Sequence, residues 1–343
     1  MKTLRLYGAG LLVALLPTLV ACYISGGGRR ERDLYLTAVA YGNGLFVAVG
    51  GDGAILTSPD GVNWTARTWG TSRLLWGVAY GNGLFVAVGY DGTILTSPDG
   101  VSWTRRTSPT SNSLWGVAYG NGTFVAVGDD GAILTSPDGV SWTAQASPTR
   151  LSLYDVAYGN GRFVAVGGYS YLWFSASVIL TSPDGVSWTR RTSPTSNSLW
   201  GVAYGNGTFV AVGVGGAILT SPDGVNWTAR TSPTSDSLWG VAYGNNTFVA
   251  VGGVAYSSST ILTSSDGVNW TQQTSPVSNL LAGVTYGNGL FVAVGREGTI
   301  LTSPDGVNWT ARTSGTDNWL IGVTYGNGRF VAVGEYGTIL TSP

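Results

Sequence analysis

The sequence predicts an all-β fold, an eight-bladed β-propeller of four-stranded antiparallel blades, on three observations. One unit recurs along almost the whole of the 343-residue chain. Each unit is made of short segments rich in β-branched and aromatic residues, without helical spacing. Glycine-rich turn signals punctuate those segments at fixed places.

The period comes from a landmark tyrosine that appears as Tyr41, Tyr80, Tyr119, Tyr158, Tyr204, Tyr243, Tyr286 and Tyr325. Successive spacings are 39, 39, 39, 46, 39, 43 and 39 residues, so the basic period is 39 with two insertions. A fixed period of this size is the mark of a propeller, solenoid or array, because one unit cannot bury its apolar surface alone. In the third unit the segments are 116–119, 124–128, 132–136 and 142–145, to be labelled strands a to d. Asn121-Gly122 favours a tight hairpin between a and b, since both residues tolerate positive φ. Asp130-Gly131 and Pro137-Asp138-Gly139 give the b–c and c–d turns. A longer crossover, 146–153, leads to the next unit. Strands a, b and c occur eight times and strand d seven times, so the eighth blade lacks its outer strand or borrows one from the N-terminal segment.

Composition narrows function. There are 53 glycines, 12% aromatic and only 10% charged residues, a net charge of −1 and no histidine. No basic stripe is available for nucleic acid, and the commonest metal ligand and general base is missing. No cofactor and no metal site is expected. Residues 1–21 read as an export signal, with Lys2 and Arg5 ahead of the apolar run 8–20. The run ends on Leu19-Val20-Ala21-Cys22, which resembles the lipobox of bacterial lipoproteins. The resemblance implies cleavage before Cys22, acylation of its thiol, and an exported chain anchored to the cell or outer membrane, facing the periplasm or the exterior. Residues 22–36 are then a flexible tether and 37–343 the propeller, a monomer with insertions at 168–177 and 253–259.

The c–d turn carries the most specific motif: Ser58-Pro59-Asp60-Gly61-Val62-Asn63-Trp64, repeated from Ser97, Ser136, Ser182, Ser221, Ser264 and Ser303. It resembles the Asp-box (BNR-like) repeat of β-propellers such as sialidases, sortilin-type receptors and a photosystem II assembly factor. In that family the box sits on the turn between the third and fourth strands. The family's usual box has one residue between Asp and Gly, whereas here they are adjacent. Asp60, Asp99, Asp138, Asp184, Asp223, Asp266 and Asp305 are assigned to structure, each carboxylate accepting hydrogen bonds from its own turn while the tryptophan fills the space between blades. Seven equivalent sites with one carboxylate each lack the ligand count for calcium.

Function is sought where the repeats differ from one another. The b–c turns vary and carry both insertions, and they share a face with the d–a crossovers, so that face is the expected functional one. The blade-four insertion holds Tyr169, Tyr171, Trp173 and Phe174, an aromatic cluster placed in a loop; it either meets a partner or folds over the blade edge. Trp76, Trp115, Tyr154, Trp200 and Trp239 precede strand a in five consecutive blades near the central channel, where they either stack on sugar rings or pack between blades. Glu297 and Glu335 lie in neighbouring b–c turns and are the candidates for a glycoside hydrolase. The favoured reading is a non-catalytic envelope scaffold with a protein partner, with a glycan-binding propeller as the alternative.

Overall fold

A computed structural model describes residues 34–68, 71–171 and 174–342, with the side chains of 170–174 excepted. The export signal, Cys22 and the tether up to residue 33 lie outside the described residues, as does Trp173. Seven four-stranded antiparallel sheets and one three-stranded sheet form an eight-bladed β-propeller. Within blade one the strands are a (Leu36–Gly42), b (Leu45–Gly50), c (Ile55–Ser58) and d (Thr65–Ala66). Strand a is innermost and strand d outermost in every complete blade.

Strand b explains why the sequence reads as an unbroken apolar run there rather than an alternating one. Phe46, Val47, Ala48 and Val49 are all fully buried, because both faces of the sheet are covered. Phe46 and Ala48 pack against Val331 and Val333 of blade eight, and Val47 and Val49 pack against Leu75 and Phe85 of blade two. Eight such clusters, each drawn from two neighbouring blades, run round the ring and close it. A fully buried phenylalanine contributes about 1.5–3 kcal/mol, and the same phenylalanine recurs in each blade. It pairs across the a–b hairpin with the landmark tyrosine, ring centroids 4.3 to 4.8 Å apart in all eight blades.

Blades meet most closely at the end of strand a. A Cβ on Gly42 would lie 2.1 Å from Cγ of Tyr80 in the next blade, and the same contact repeats round the ring to Gly326 and Tyr41, at 2.0 Å. Only glycine lets a tyrosine ring lie flat on the neighbouring backbone. The following turn has Asn43 at φ 49° and Gly44 at φ 76°, the paired positive φ of a tight hairpin.

Three details depart from the sequence reading. Strand d is two or three residues long, Thr143–Ala144 in blade three, and Trp142 stands before it with its ring packed between blades two and three. The blade-four insertion is not a loop. Strands b (Arg162–Tyr171) and c (Phe174–Ser182) run on as one ladder, pairing Tyr169 with Ala176 and Tyr171 with Phe174. Its aromatic residues suit a strand, and extending the hairpin satisfies more backbone groups than a free loop. Blade six is extended in the same way over Thr247–Val254 and Ser258–Ser264. Leu34 to Leu36, placed in the tether on sequence grounds, belong to the ring.

Among the described residues the eighth blade has three strands, Leu320–Gly326, Arg329–Gly334 and Ile339–Thr341. Leu34 and Tyr35 lie across its b–c turn: Gly337 N–H donates to the Leu34 carbonyl at 2.8 Å, and Tyr35 bridges Glu335. Tyr35 O then accepts Gly51 N–H at 2.6 Å, tying blade eight to blade one. Burial, together with the Glu335 carboxylate, pushes the Tyr35 hydroxyl up to about 12, Arg296 offsetting part of the effect.

Gly120→Ala places a methyl 2.1 Å from Cγ of Tyr158 and is expected to destabilise the ring by about 1–3 kcal/mol, the usual cost of overpacking. Gly122→Asn is the control: it sits on the open a–b turn with no atom within 4 Å of its Cβ, and Asn246 occupies the same place in blade six at φ 56°. Thermal melting should separate the two clearly.

Candidate functional site

Strand a opens with a buried leucine and then a bulge. In blade two Leu75 pairs with Gly89 and Gly77 with Val88, so Trp76 is the extra residue. The same shift occurs in all eight blades. The bulge brings strand a so near strand b that a Cβ on Gly89 would lie 2.1 Å from the Leu74 carbonyl oxygen. A bulge re-aims one side chain, and here each one points towards the axis. The bulge residues are Thr37, Trp76, Trp115, Tyr154, Trp200, Trp239, Ala282 and Ile321, and all of them line a central cavity of about 330 Å³. The five aromatic residues therefore lie within strand a and not before it, because the bulge gives the strand a start that periodicity alone does not show.

The rings also touch one another. Trp76 and Trp115 have centroids 4.8 Å apart, Trp200 and Trp239 4.9 Å, and Trp115 and Tyr154 6.3 Å. Tyr90, from a b–c turn, stands 5.9 Å from both Trp76 and Trp115. Packing between blades and lining of the cavity are thus done by the same side chains. Trp115 Nε1 donates to Asp129 at 2.7 Å, and Ser152 Oγ donates to the same carboxylate oxygen at 2.9 Å. Burial, with Asp129 adding, raises the Tyr154 hydroxyl above its ordinary value.

Deeper in the wall sits Asp155, only 4% exposed. Its carboxylate accepts Val156 N–H at 2.7 Å and Val202 N–H of blade five at 3.0 Å. Blade one has Ala38 at this place, and the other six blades have glycine, as at Gly116 and Gly201. Spacing alone gave no reason to single it out; comparison of the repeats against one another could have found it.

The mouth is framed by the b–c turns, which carry Asp52, Asp91, Asp129, Asp130, Glu297 and Glu335 against one arginine, Arg296. Asp91 pairs with Arg73 of the preceding crossover at 2.8 Å. Arg296 lies over the Trp319 ring at 4.4 Å and the Tyr256 ring at 4.9 Å, and donates to Tyr256 Oη at 2.8 Å. Exposed aromatic side chains among the described residues, Tyr90, Tyr169, Trp239, Tyr256 and Tyr336, all belong to this face. Glu297 has the turn φ of 52° that Asp52 and Asp91 have in their own turns, whereas Glu335 accepts Trp319 N–H at 3.4 Å. The two glutamates hold different places in their turns.

The seven repeated c–d turns lie at the other end of the blades, beside the a–b turns: Asn160 Nδ2 donates to the Pro222 carbonyl and Asn327 Nδ2 to that of Pro59. Asp60 accepts Ser58 Oγ, Val62 N–H and Asn63 N–H, each at 2.8 Å, and Trp64 Nε1 donates to Gly61 O at 2.8 Å. Asp99, Asp138, Asp184, Asp223, Asp266 and Asp305 make the same bonds in their turns. The strand d arginines have a shared partner that sequence reasoning missed: Arg67 Nε donates to Thr57 Oγ1 at 2.7 Å, and Arg106, Arg191, Arg230 and Arg312 repeat the bond. Among the described residues no three His, Cys, Asp or Glu side chains come together as metal ligands would. Tyr169 is exposed, while the side chains of Tyr171 and Phe174 lie outside the described residues.

An inward-facing aromatic cavity at one end of a closed ring of antiparallel blades defines a β-propeller with an axial cavity. No protein-family model and no curated protein matches the chain. Among solved structures it is similar to the computationally designed protein Ika8, at 12% identity over 90% of this chain and 96% of that one, with a TM-score of 0.72. It is similar to YCF48 bound to a D1 peptide, at 17% identity over 97% and 99% and a TM-score of 0.61. It is also similar to a catalytically inactive virginiamycin B lyase from Staphylococcus aureus with quinupristin, in which a histidine is replaced by alanine. That match has 11% identity over 95% and 99% and a TM-score of 0.62. At these identities the likeness is one of fold.

The c–d turns make stability depend on acid. The Ser141 N–H, foremost, holds the Asp138 carboxyl down at about 2, against an ordinary 3.8. A carboxyl that prefers its charged form in the fold stabilises above its unfolded pKa, and that contribution disappears as pH falls through the folded one. The melting temperature is expected to be level down to about pH 5 and to drop between about pH 4 and 2. Asp138→Ala, measured at neutral pH, should cost about 1–3 kcal/mol through the turn donors it leaves unpaired.

Proposed function

We propose that this protein is a non-catalytic binding scaffold that receives a protein partner on the face formed by the b–c turns and d–a crossovers. The observation that carries this reading is the gathering of exposed aromatic side chains on that one face, round the mouth of the aromatic cavity. Exposed aromatic patches are costly in water and are the usual anchors of interfaces. YCF48, a propeller of similar fold, binds a D1 peptide, which supports a protein partner for this one. Among the described residues the opposite face offers only valines from the repeated turns, such as Val101 and Val140, as exposed large apolar groups. They recur identically and cannot distinguish one partner from another.

A non-catalytic role is supported by the absence of histidine and by the unlike positions of Glu297 and Glu335. The glycan alternative has less support: the cavity wall is mostly valine, glycine and aromatic carbon, and a sugar entering it would bury hydroxyls with few partners. We further place the scaffold at the bacterial envelope, exported and held by lipid on Cys22.

Replacing Tyr256 and Tyr336 together with serine is expected to reduce partner capture from envelope extracts by at least about tenfold, as loss of interface anchors does, with an unchanged melting temperature. Capture equal to that of the unaltered protein would end the reading of this face. Cys22→Ser should leave a folded propeller that no longer sediments with membranes. A variant still pelleting after a salt wash would remove the lipid anchor.

A further inference from the structure

The central cavity combines two features that the frame does not require. Five aromatic rings enter it from consecutive blades, where Thr37, Ala282 and Ile321 show that the bulge also accepts small or aliphatic side chains. The only formal charge among the lining residues is negative, on Asp155, at a place where six other blades have glycine. A carboxylate is costly among valines and rings, and ring closure is achieved seven times without it.

Aromatic faces carry negative charge density and attract cations, most strongly tryptophan. This face already holds one cation in that way, the Arg296 guanidinium over Trp319 and Tyr256. The lining also selects the kind of cation. A guanidinium brings five N–H donors and a primary ammonium three, whereas the lining side chains carry oxygen only at Thr37, Tyr154 and Asp155, and each Asp155 oxygen already accepts a backbone N–H. A quaternary ammonium has no N–H to satisfy and presents only methyl groups to the rings and valines. The cavity volume, about 330 Å³, falls within the range of small-ligand pockets.

We propose that the central cavity is a binding site for a quaternary ammonium group, caged by Trp76, Trp115, Tyr154, Trp200 and Trp239 with Asp155 as counter-charge. This inference rests on the binding face proposed above and names the chemistry recognised at its centre. The group can arrive on a trimethylated lysine of a peptide or on a free small molecule.

The test is calorimetric titration of the protein with choline, with its neutral carbon isostere 3,3-dimethyl-1-butanol, and with a trimethyl-lysine peptide beside its unmethylated form. Choline is expected to bind at least about tenfold more tightly than its isostere, which lacks the cation–π attraction, and the trimethylated peptide at least about tenfold more tightly than the unmethylated one, whose ammonium N–H groups would be buried without enough acceptors. The tighter of the two cationic probes identifies the source. Asp155→Asn and, independently, Trp200→Leu should each weaken binding at least about fivefold; the second variant decides if the first does not fold. Equal binding of choline and its isostere, or no binding of any cationic probe up to about 10 mM, overturns the proposal. If those titrations fail while the Tyr256/Tyr336 variant still loses its partner, the cation site falls and the partner-binding face stands.

Discussion

The contact on which the rest of the molecule depends is the tyrosine ring of one blade laid on the strand a glycine of the blade before it. It occurs eight times, and the eighth, Tyr41 on Gly326, joins the first blade to the last. Because a Cβ at any of these glycines would fall inside the ring, the innermost strands approach one another as closely as backbone and aromatic carbon permit. The phenylalanine–valine layers outside these strands supply most of the apolar burial, but they pack on a geometry already defined at the centre.

The bulge at the start of strand a is the second device. A regular antiparallel register would alternate side chains between the two faces of the blade and send none along the axis. The extra residue breaks that alternation once per blade, and the glycine at the end of strand b makes room for it. The frame thus presents eight inward positions that line the cavity and, where they are aromatic, also pack ring against ring between neighbouring blades. Five are aromatic, and next to one of them stands Asp155.

The two ends of the ring differ in chemistry. At one end the c–d turns repeat an Asp-centred network of local hydrogen bonds, and the outer arginines bind threonines of their own blades. These bonds close turns and edges. At the other end the b–c turns differ in sequence, in charge and in length, and blades four and six reach out as extended ribbons. Variation is tolerated there because the hairpin can lengthen outward without disturbing the ladder beneath it. The binding face proposed above is this varied end with the cavity it frames.

The amino-acid sequence by itself determined the architecture: a 39-residue period, apolar runs of strand length and Asn-Gly and Asp-Gly turns leave few folds other than a ring of eight four-stranded blades. It also located the variable face and the five aromatic positions, since these follow from comparing one repeat with another. Local signals could not show that those five residues are bulges within strand a, because a bulge is defined by the partner strand. Nor could they show that the blade-four insertion is a continued ladder, which depends on pairing 163–171 with 174–182. The significance of Asp155 was decided only by tertiary structure. On the chain it stands out only as an aspartate where six other repeats have glycine, and closure of the ring brings it to the wall of a cavity shared with aromatic residues from blades far apart in sequence.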